Sequence, residues 1–219
     1  MTDSASTNAV REAAQDEVRA MRDTLETLDA AQIDLILTKA RSHYAWTDKP
    51  VSDELLNQIF DIMIMGPTSM NTCPARITFV RSEAGKEKLA KSLKPANVPK
   101  VMGAPVTAII AFDLEFWTHL PKLFPHEDRR FMFEGKAKHI EDTAFRNSTL
   151  QGAYFMIAAR ALGLDVGAIS GFDNAVVDEE FFAGTSLKSN FLCNLGYADV
   201  DALFQRLPRF EFDEVCEIL

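Results

Sequence analysis

The feature that most constrains the fold of this sequence is the stretch at residues 139–162, HIEDTAFRNSTLQGAYFMIAARAL. Drawn as a helix, it is apolar over much of its circumference, which is typical of a helix packed between two layers of structure. Gly163 follows directly, and glycine commonly ends a helix. The sequence therefore predicts a long central helix around which the rest of the chain is arranged.

Short segments rich in β-branched and apolar residues predict a sheet. In chain order, the predicted strands are 76–81 (RITFVR), 106–112 (VTAIIAF), 166–169 and 190–195. A helical stretch at 82–93 separates the first two, so we expect a crossover between them. A helix capped by Asp173 and running to Phe182 separates the last two. Strands interleaved with helices in this way predict a three-layer α+β fold with a mixed sheet.

The N-terminal part of the chain is predicted to be mainly helical. Residues 9–40 carry apolar side chains at helical spacing, with a break near 27–29. Ser52 is a favourable N-cap for a further helix, with acidic residues in its first turn. A chain of 219 residues with 47% hydrophobic content can bury one full core, so one domain is expected.

The C-terminal tail is too apolar to be left in water. Its apolar residues are Phe204, Leu207, Phe210, Phe212, Val215 and Ile218. Because the predicted core is complete without them, we expect the tail to pack against a partner subunit of a homodimer.

Charge and hydropathy argue against nucleic-acid and membrane functions. A formal net charge of −9 repels the phosphate backbone of nucleic acids. The longest apolar run, 101–112, is interrupted by Gly103 and Pro105 and is shorter than the ~20 residues that a membrane-spanning helix needs. The N-terminus lacks the apolar segment of a secretion signal. We therefore expect a soluble cytoplasmic protein.

Cysteines and histidines do not form a metal-binding pattern. Cys73, Cys193 and Cys216 contain no C-x-x-C pair, so neither a zinc site nor a disulfide framework is predicted. The histidines after residue 43 also lack the spacing of metal ligands, and no metal is expected. For His126, the role of proton donor stands against the commoner role of a hydrogen-bonded surface residue.

Two polar clusters carry the candidate chemistry. The first is ARSHYAW at 40–46, where the Arg41 fork and the Ser42 hydroxyl suit a phosphate monoester. The alternative interpretation is a solvated basic turn. The second is GPTSMNTCP at 66–74, which is equally typical of an ordinary turn. Taken alone, neither cluster decides between these alternatives.

Taken in order, the two clusters resemble the nitroreductase family, whose members read R-R-S-x-R-x-F…P-V-x-x-x-x-L and then P-S-S-x-N-x-Q-P-W. Further matches follow in the same order: Asn97-x-x-Lys100 before APVTAII, ALGLD…SGFD at 161–173, NLGY at 194–197 and LPR at 207–209. The resemblance runs from residue 39 to the end. It implies a nitroreductase-like domain at 39–219, preceded by a helical extension at 1–38, and a sheet that is mainly antiparallel.

Within that family, the chain is similar to a branch of malonic semialdehyde reductases, also called 3-hydroxypropanoate dehydrogenases. The segments that carry this similarity are 103–107, 123–126 (LFPH), 141–148 (EDTAFRNS) and 181–190 (FFAGTSLKSN). The branch implies reduction of malonic semialdehyde to 3-hydroxypropionate. Arg129, Arg130 and Arg146 are candidates to bind the carboxylate of such a substrate. For Arg146, the alternative interpretation of a helix-surface or ion-pair residue is slightly favoured.

The family resemblance implies FMN as cofactor, bound at the subunit interfaces of a homodimer. Arg41 and Ser42 would hold its phosphate, helped by Arg209 and Arg206 from the tail. His43 is a further candidate for this clamp, because Ala40 replaces the family's first arginine and Tyr44 its later basic residue.

The isoalloxazine ring would be held by other segments. Asn97 and Lys100 would meet its pyrimidine edge, and the backbone at Ser170 and Gly171 would donate toward N5 and O4. The residues that would line it from the partner subunit are Pro67, Thr68, Ser69 and Asn71. The family's Gln-Pro-Trp is Cys-Pro-Ala at 73–75 here, which removes an aromatic wall.

The implied reaction needs little from side chains, because the flavin itself accepts hydride at N5. No side chain is expected to act as a nucleophile, and Lys100 would stabilise negative charge near N1 and O2. The sequence has no G-x-G-x-x-G after a strand, so NADH or NADPH would use the flavin site itself, with ping-pong kinetics. Two alternatives stand beside malonic semialdehyde reduction: a broad-specificity nitro or quinone reductase, and a non-catalytic flavin-binding protein.

Overall fold

The computed structural model describes residues 4–219, with side chains described from residue 8. Its helices are distributed from the N-terminal to the C-terminal part of the chain. The α-helices are α1 (Ser4–Asp23), α2 (Ala30–Ile33), α3 (Asp53–Met63), α4 (Glu83–Ala90), α5 (Val98–Gly103), α6 (Leu120–Leu123), α7 (Ala137–Ala161), α8 (Asn174–Phe182) and α9 (Phe212–Val215). A π-helical turn (Asp34–Thr38) continues α2. Short 3-10 turns lie at Ser69–Asn71, Pro95–Asn97, Phe116–His119, Arg130–Met132 and Val200–Ala202.

One sheet lies at the centre of the fold. Its strands are β1 (Ala75–Val80), β2 (Val106–Asp113), β3 (Asp165–Ile169) and β4 (Leu187–Gly196), in the order β1-β2-β4-β3. Each neighbouring pair is antiparallel, so β1 and β2 are not joined by the predicted crossover between parallel strands. Among the described residues, parallel pairing is limited to one isolated bridge, between Ser42 and Val166.

Helices cover both faces of this sheet. On one face, the core formed by α3, α7 and the sheet includes Ile59, Met63, Ile110, Phe155 and Leu195. On the opposite face, the core formed by α4, α5, α8 and the sheet includes Leu89, Val101, Ile109, Val177 and Leu192. Both cores are built on β2, whose residues are buried along its whole length. The predicted three-layer α+β arrangement is confirmed.

The central helix α7 is close to the predicted one and starts two residues earlier. It ends where expected, because Gly163 adopts a left-handed φ of +83° that a helix does not continue. Two of its buried polar residues accept hydrogen bonds from the loop before β1 and from the first residue of that strand. Asn147 Oδ1 accepts from the Ser69 amide at 2.8 Å, and Gln151 Oε1 accepts from the Ala75 amide at 2.9 Å. The central helix therefore fixes the position of one of the two candidate clusters.

Helix α3 follows the sequence prediction. The Ser52 side chain accepts a hydrogen bond from the Leu55 amide at 3.2 Å, and Asp53 and Glu54 lie in the first turn. The N-terminal helices also show the predicted break, which spans residues 24–29 and ends at the capping box of Asp29. α1 starts at Ser4, earlier than predicted, and the first three residues of the predicted extension lie outside the described residues.

Both ends of the chain expose apolar side chains. Val10 of α1 is 72% exposed, and Phe204 and Phe210 of the tail are 73% and 74% exposed. The tail residues from Phe204 to Leu219 are all exposed. Packing of these residues against a partner subunit stays a prediction.

Close packing of α7 on β4 yields a stability prediction. A Cβ added at Gly152 would lie 2.5 Å from the Phe191 ring. We expect Gly152→Ala to lower the free energy of unfolding by about 1–3 kcal/mol through overpacking, although alanine is the better helix former by about 1 kcal/mol. Urea denaturation measures the change. Gly103→Ala, where a Cβ meets nothing within 4 Å, is the matched control; equal stabilities for the two variants would contradict the packing.

Candidate functional site

A cavity of about 440 Å³ lies between the 41–44 segment and the tail. Its lining residues are Arg41, Ser42, Tyr44, Phe204, Gln205, Arg206, Leu207 and Arg209. They include three guanidinium groups and the hydroxyls of Ser42 and Tyr44, and no carboxylate. Because charge-assisted hydrogen bonds to anions are about twice as strong as neutral ones, a cavity with these donors is suited to a phosphate.

The three guanidinium groups bond to backbone carbonyls. Arg41 Nη2 donates to the Phe204 carbonyl at 2.5 Å, and Arg206 Nη2 to the Ala40 carbonyl at 2.9 Å. These two bonds tie the N-terminal and C-terminal walls of the cavity to each other. Arg209 Nη1 donates to the carbonyls of Leu207 and Pro208 at 3.0 Å. Since carbonyls are neutral, the positive charge of all three arginines is available to a ligand.

Asn97, Lys100 and Gly171 form a second group of polar atoms. Asn97 Nδ2 donates to the Gly171 carbonyl at 3.0 Å, and Lys100 Nζ donates to Asn97 Oδ1 at 2.9 Å. The Lys100 ammonium also lies 5.0 Å from the ring centroid of Tyr44, within cation–π range. Tyr44 lines the cavity, so this contact joins the second group to the first.

Gly171 is required by the close approach of Asn97. A Cβ at this position would lie 2.4 Å from Asn97 Nδ2, so any larger residue would displace the amide. Ser170 immediately precedes it and is exposed, at the end of β3. The structure therefore brings together predicted site residues from three segments: 41–42, 97–100 and 170–171.

Buried polar residues that sequence reasoning missed support Lys100. Asn194 Nδ2 donates to the Lys100 carbonyl at 3.0 Å, and the Thr107 hydroxyl donates to Asn194 Oδ1 at 2.7 Å. Both side chains are fully buried in the sheet. An asparagine between the apolar residues Cys193 and Leu195 was the available signal, because a buried amide needs partners for its polar atoms.

The loop that contains Pro67, Thr68, Ser69 and Asn71 is held by different elements. Tyr154 of α7 donates its hydroxyl hydrogen to the Pro67 carbonyl at 3.1 Å, and Asn71 Nδ2 donates to the Leu123 carbonyl of α6 at 2.8 Å. The described hydrogen bonds of these residues do not reach the 41–44 or 97–100 segments. Within one chain, the predicted site residues thus fall into two sets.

Backbone strain marks the same loop. Met70, Asn71 and Cys73 have φ angles of 51°, 52° and 39°, in the left-handed region that favours glycine. The Cys73 amide donates to Thr68 Oγ1 at 3.2 Å, which closes the loop on itself. Strained residues of this kind persist where the surroundings fix them and are frequent at ligand sites.

His43 does not lie with the cavity residues. Its imidazole is 6% exposed and points to the opposite side of the segment, where Nε2 lies 3.2 Å from Asp165 Oδ1. The structure therefore does not place His43 where it would replace the missing cations of the clamp. His43 is buried because side chains along this extended segment alternate in direction, and its neighbours Ser42 and Tyr44 are exposed.

The other candidate histidines and arginines are spread over the segment before α7 and over α7 itself. His126 packs edge-on against Phe124, with 5.4 Å between ring centroids. Arg129 is ion-paired with Glu127 at 2.6 Å. Arg130 pairs with Asp128, and the hydrogen bonds from its guanidinium lower the pKa of that carboxyl to about 2. Arg146 is exposed on α7.

Cys193 is the buried thiol of the sheet. Complete desolvation raises its pKa to about 12, so it stays protonated at neutral pH. Within residues 4–219, every helix is too short or too polar to cross a membrane. Among the same residues, no three His, Cys, Asp or Glu side chains are grouped as metal ligands.

Comparison with known proteins identifies relatives of this chain by sequence. The model of the nitroreductase family matches residues 37–197. A candidate NADH dehydrogenase/NAD(P)H nitroreductase of Burkholderia lata is 53% identical over 194 residues, which is 89% of this chain and 100% of the relative. A protein of the same description from Stenotrophomonas maltophilia is 55% identical over 191 residues, covering 87% of this chain and 97% of the relative.

Solved structures share the fold. A nitroreductase from Exiguobacterium sibiricum, crystallised in complex with FMN, superposes with a TM-score of 0.77 at 24% identity, covering 89% of this chain and 99% of that one. A nitroreductase from Bacillus subtilis superposes with a TM-score of 0.76 at 18% identity, covering 87% of this chain and 100% of that one.

Proposed function

Because this chain belongs to the nitroreductase family, we propose that it is an FMN-dependent NAD(P)H oxidoreductase. The observation that carries the proposal is the cavity lined by Arg41, Ser42, Arg206 and Arg209, whose charges are not neutralised by carboxylates. The two sequence relatives are described by name as NAD(P)H nitroreductases, and a structural neighbour was crystallised with FMN.

The residues fit FMN in two parts. The guanidinium cavity accepts the phosphate, and the adjoining group of Asn97, Lys100 and Gly171 offers an amide and an ammonium to the pyrimidine edge of the flavin. Gly171 leaves room for the Asn97 amide beside the backbone, since a Cβ there would lie 2.4 Å from Asn97 Nδ2. Bound FMN supplies an atom that accepts hydride from NAD(P)H and returns it to a second substrate.

Lys100 has the electrostatic role in this proposal. Asn97 Oδ1 and the Tyr44 ring hold its ammonium from two sides, so the charge is fixed in place before reaction. A preorganised cation stabilises negative charge without the cost of reorienting solvent. NADH or NADPH and the second substrate would use one open site in turn, which gives ping-pong kinetics.

Dimerisation would complete the site. We assign residues 39–219 to the FMN-binding domain and 1–38 to a helical extension, and we place the loop of Pro67, Thr68, Ser69 and Asn71 against the flavin of the partner subunit. The separate anchoring of that loop, on α6 and α7, supports this assignment.

A groove on the outer edge of the sheet suits the tail of a second copy. A cavity of about 600 Å³ lies between α3 and β1, lined mainly by apolar side chains and by Arg76 and Arg81. The tail carries exposed phenylalanines together with acidic residues at 211, 213, 214 and 217. Its apolar residues match the apolar lining of the groove, whose two arginines are already ion-paired, Arg76 with Asp113 and Arg81 with Asp53.

Malonic semialdehyde is the proposed physiological substrate, reduced to 3-hydroxypropionate. Segments 141–148 and 181–190, which carry the branch similarity, meet where Asn190 Nδ2 donates to Ser148 Oγ at 2.9 Å. That contact is structural and joins the two segments of the branch similarity, the first of which also carries Arg146. A nitro or quinone reductase is the second candidate, favoured by the names of the relatives. A flavin-binding protein without turnover is the third.

The proposal is tested on the purified protein reconstituted with FMN. A bound flavin spectrum that bleaches anaerobically on addition of NADH or NADPH is the expected result. Binding without bleaching would indicate a non-catalytic flavoprotein, and no binding would contradict the proposal. Steady-state turnover of malonic semialdehyde beside a neutral nitroaromatic then separates the two candidate enzyme functions.

Arg41 gives the first variant of the clamp. We expect Arg41→Gln to raise the Kd for FMN about 10- to 100-fold, because one charge-assisted hydrogen bond to phosphate is lost. Fluorescence titration of the protein with FMN measures this Kd. Lys39→Gln removes a nearby exposed cation that pairs with Asp34 and serves as control. Equal affinities of the two variants would place the phosphate elsewhere.

Lys100 gives the second variant. We expect Lys100→Met to slow anaerobic bleaching by NADH about tenfold or more, because a fixed cation near developing charge is removed. Stopped-flow absorbance of the FMN-loaded protein measures the rate. Lys91→Met, which removes a lysine paired with Glu180 on the protein surface, is the control. An unchanged rate in Lys100→Met would rule out the electrostatic role.

Arg146 is the proposed carboxylate ligand, because Arg129 and Arg130 are already ion-paired. Arg146→Gln should raise the KM for malonic semialdehyde about tenfold and leave the KM for a neutral nitroaromatic unchanged. Lys138→Gln, on the same helix and paired with Asp142, is the control. A parallel change for both substrates would show that Arg146 does not recognise the carboxylate.

A further inference from the structure

A buried histidine–carboxylate pair lies directly behind the phosphate clamp. His43 Nε2 is 3.2 Å from Asp165 Oδ1. The other carboxylate oxygen of Asp165 accepts the Ala198 amide hydrogen at 2.9 Å. Asp165 opens β3, an edge strand of the sheet, and is 42% exposed.

We propose that Asp165 is a positioning residue for phosphate binding: through His43 it fixes the segment that presents Arg41 and Ser42 to the cavity. This inference rests on the proposed FMN function. Asp165 itself does not line the cavity, so it acts on the ligand only through its neighbours.

The backbone of the segment supports the proposal. Ser42 pairs with Val166 through a single isolated bridge, and the His43 amide donates to the Val166 carbonyl at 3.0 Å. A Cβ at Gly167 would lie 2.5 Å from the His43 carbonyl oxygen, so the segment runs directly against β3. The two ends of the segment are held by Arg206 on the Ala40 carbonyl and by the bridge of Trp46 to Ala198. The His43 side chain anchors the middle, next to the residues that line the cavity.

The alternating direction of the side chains places His43, the anchor of the segment, on the side opposite the cavity. Ser42 and Tyr44 line the cavity, while His43 between them is buried on the other side. Neighbouring side chains of an extended segment point in opposite directions. Holding the His43 ring inward therefore turns the Ser42 hydroxyl and the Tyr44 ring outward to the cavity.

The ring depends on Asp165 for polar contact. His43 Nδ1 is buried and has no hydrogen-bond partner among the described residues, so the bond from Nε2 carries the polar interaction of the imidazole. A buried polar group that loses its partner is costly. The hydrogen bond from His43 in turn holds the pKa of Asp165 below its usual value, which keeps the carboxylate ionised.

Asp165→Asn tests the inference, because an amide has one acceptor oxygen and cannot serve both His43 and the Ala198 amide. Kd values for FMN and for riboflavin, which lacks the phosphate, are measured by fluorescence quenching. We expect the FMN Kd to rise about tenfold and the riboflavin Kd to stay unchanged. Asp142→Asn, at a partly exposed carboxylate paired with Lys138 on α7, is the control.

A double-mutant cycle tests whether His43 is the link. Phenylalanine at position 43 needs no hydrogen-bond partner, so in a His43→Phe background the Asp165→Asn change should have little further effect on the FMN Kd. An equal effect in both backgrounds would overturn the link. The single variant His43→Phe keeps the inference testable if Asp165→Asn does not fold, since it removes the donor to Asp165 and should show the same selective loss of FMN affinity.

The outcomes separate the inference from the proposed function. A parallel loss of FMN and riboflavin affinity would reduce Asp165 to a structural residue, and an unchanged FMN affinity would overturn the inference alone. Failure of the wild-type protein to bind FMN would overturn the proposed function and this inference together.

Discussion

The grouping of Arg41, Arg206 and Arg209 around one cavity is the constraint on which the proposed site depends. The protein has a formal net charge of −9, yet it holds these three guanidinium groups around one cavity and bonds them to neutral carbonyls. Like charges at such positions are stable when an anion lies between them. The two chain segments that carry them are more than 160 residues apart, so the ligand also joins the first part of the domain to its tail.

A second constraint is the apolar surface at both ends of the chain. The side chains of α1 and of the tail have no core to enter within one protomer, and contiguous apolar surface of this kind marks an interaction site. The groove between α3 and β1 offers apolar surface together with arginines. In the proposed dimer, the same contact buries the tail and delivers the 67–71 loop to the partner, so assembly and cofactor binding are coupled.

Much of the fold was predictable from the sequence because local signals agreed with burial. The length of α7, its end before Gly163, the Ser52 cap of α3 and the existence of the four strands all follow from periodicity and capping. Strand β4 begins at Leu187, three residues before its predicted start, because Lys188 and Ser189 are polar yet pair with β2. Strand direction did not follow from the residue patterns, since pairing is decided by contacts between distant segments; the family resemblance alone implied a mainly antiparallel sheet.

The candidate site was predictable as a set of residue types and not as a set of contacts. Ordered motifs pointed to Asn97, Lys100 and Gly171, and the structure brings these three into hydrogen-bond contact. His43 was misplaced because a residue's type does not reveal which side of an extended segment it occupies. Asp165 was missed because its partner lies over a hundred residues away in sequence.

The most direct test of the account is a crystal structure of the protein grown with FMN. The account predicts the phosphate within hydrogen-bond distance of Arg41, Ser42, Arg206 and Arg209, with the flavin edge at Asn97 and Lys100 and the 67–71 loop of a second protomer against the ring. A phosphate bound away from the three arginines, or a flavin site formed by one protomer alone, would contradict it.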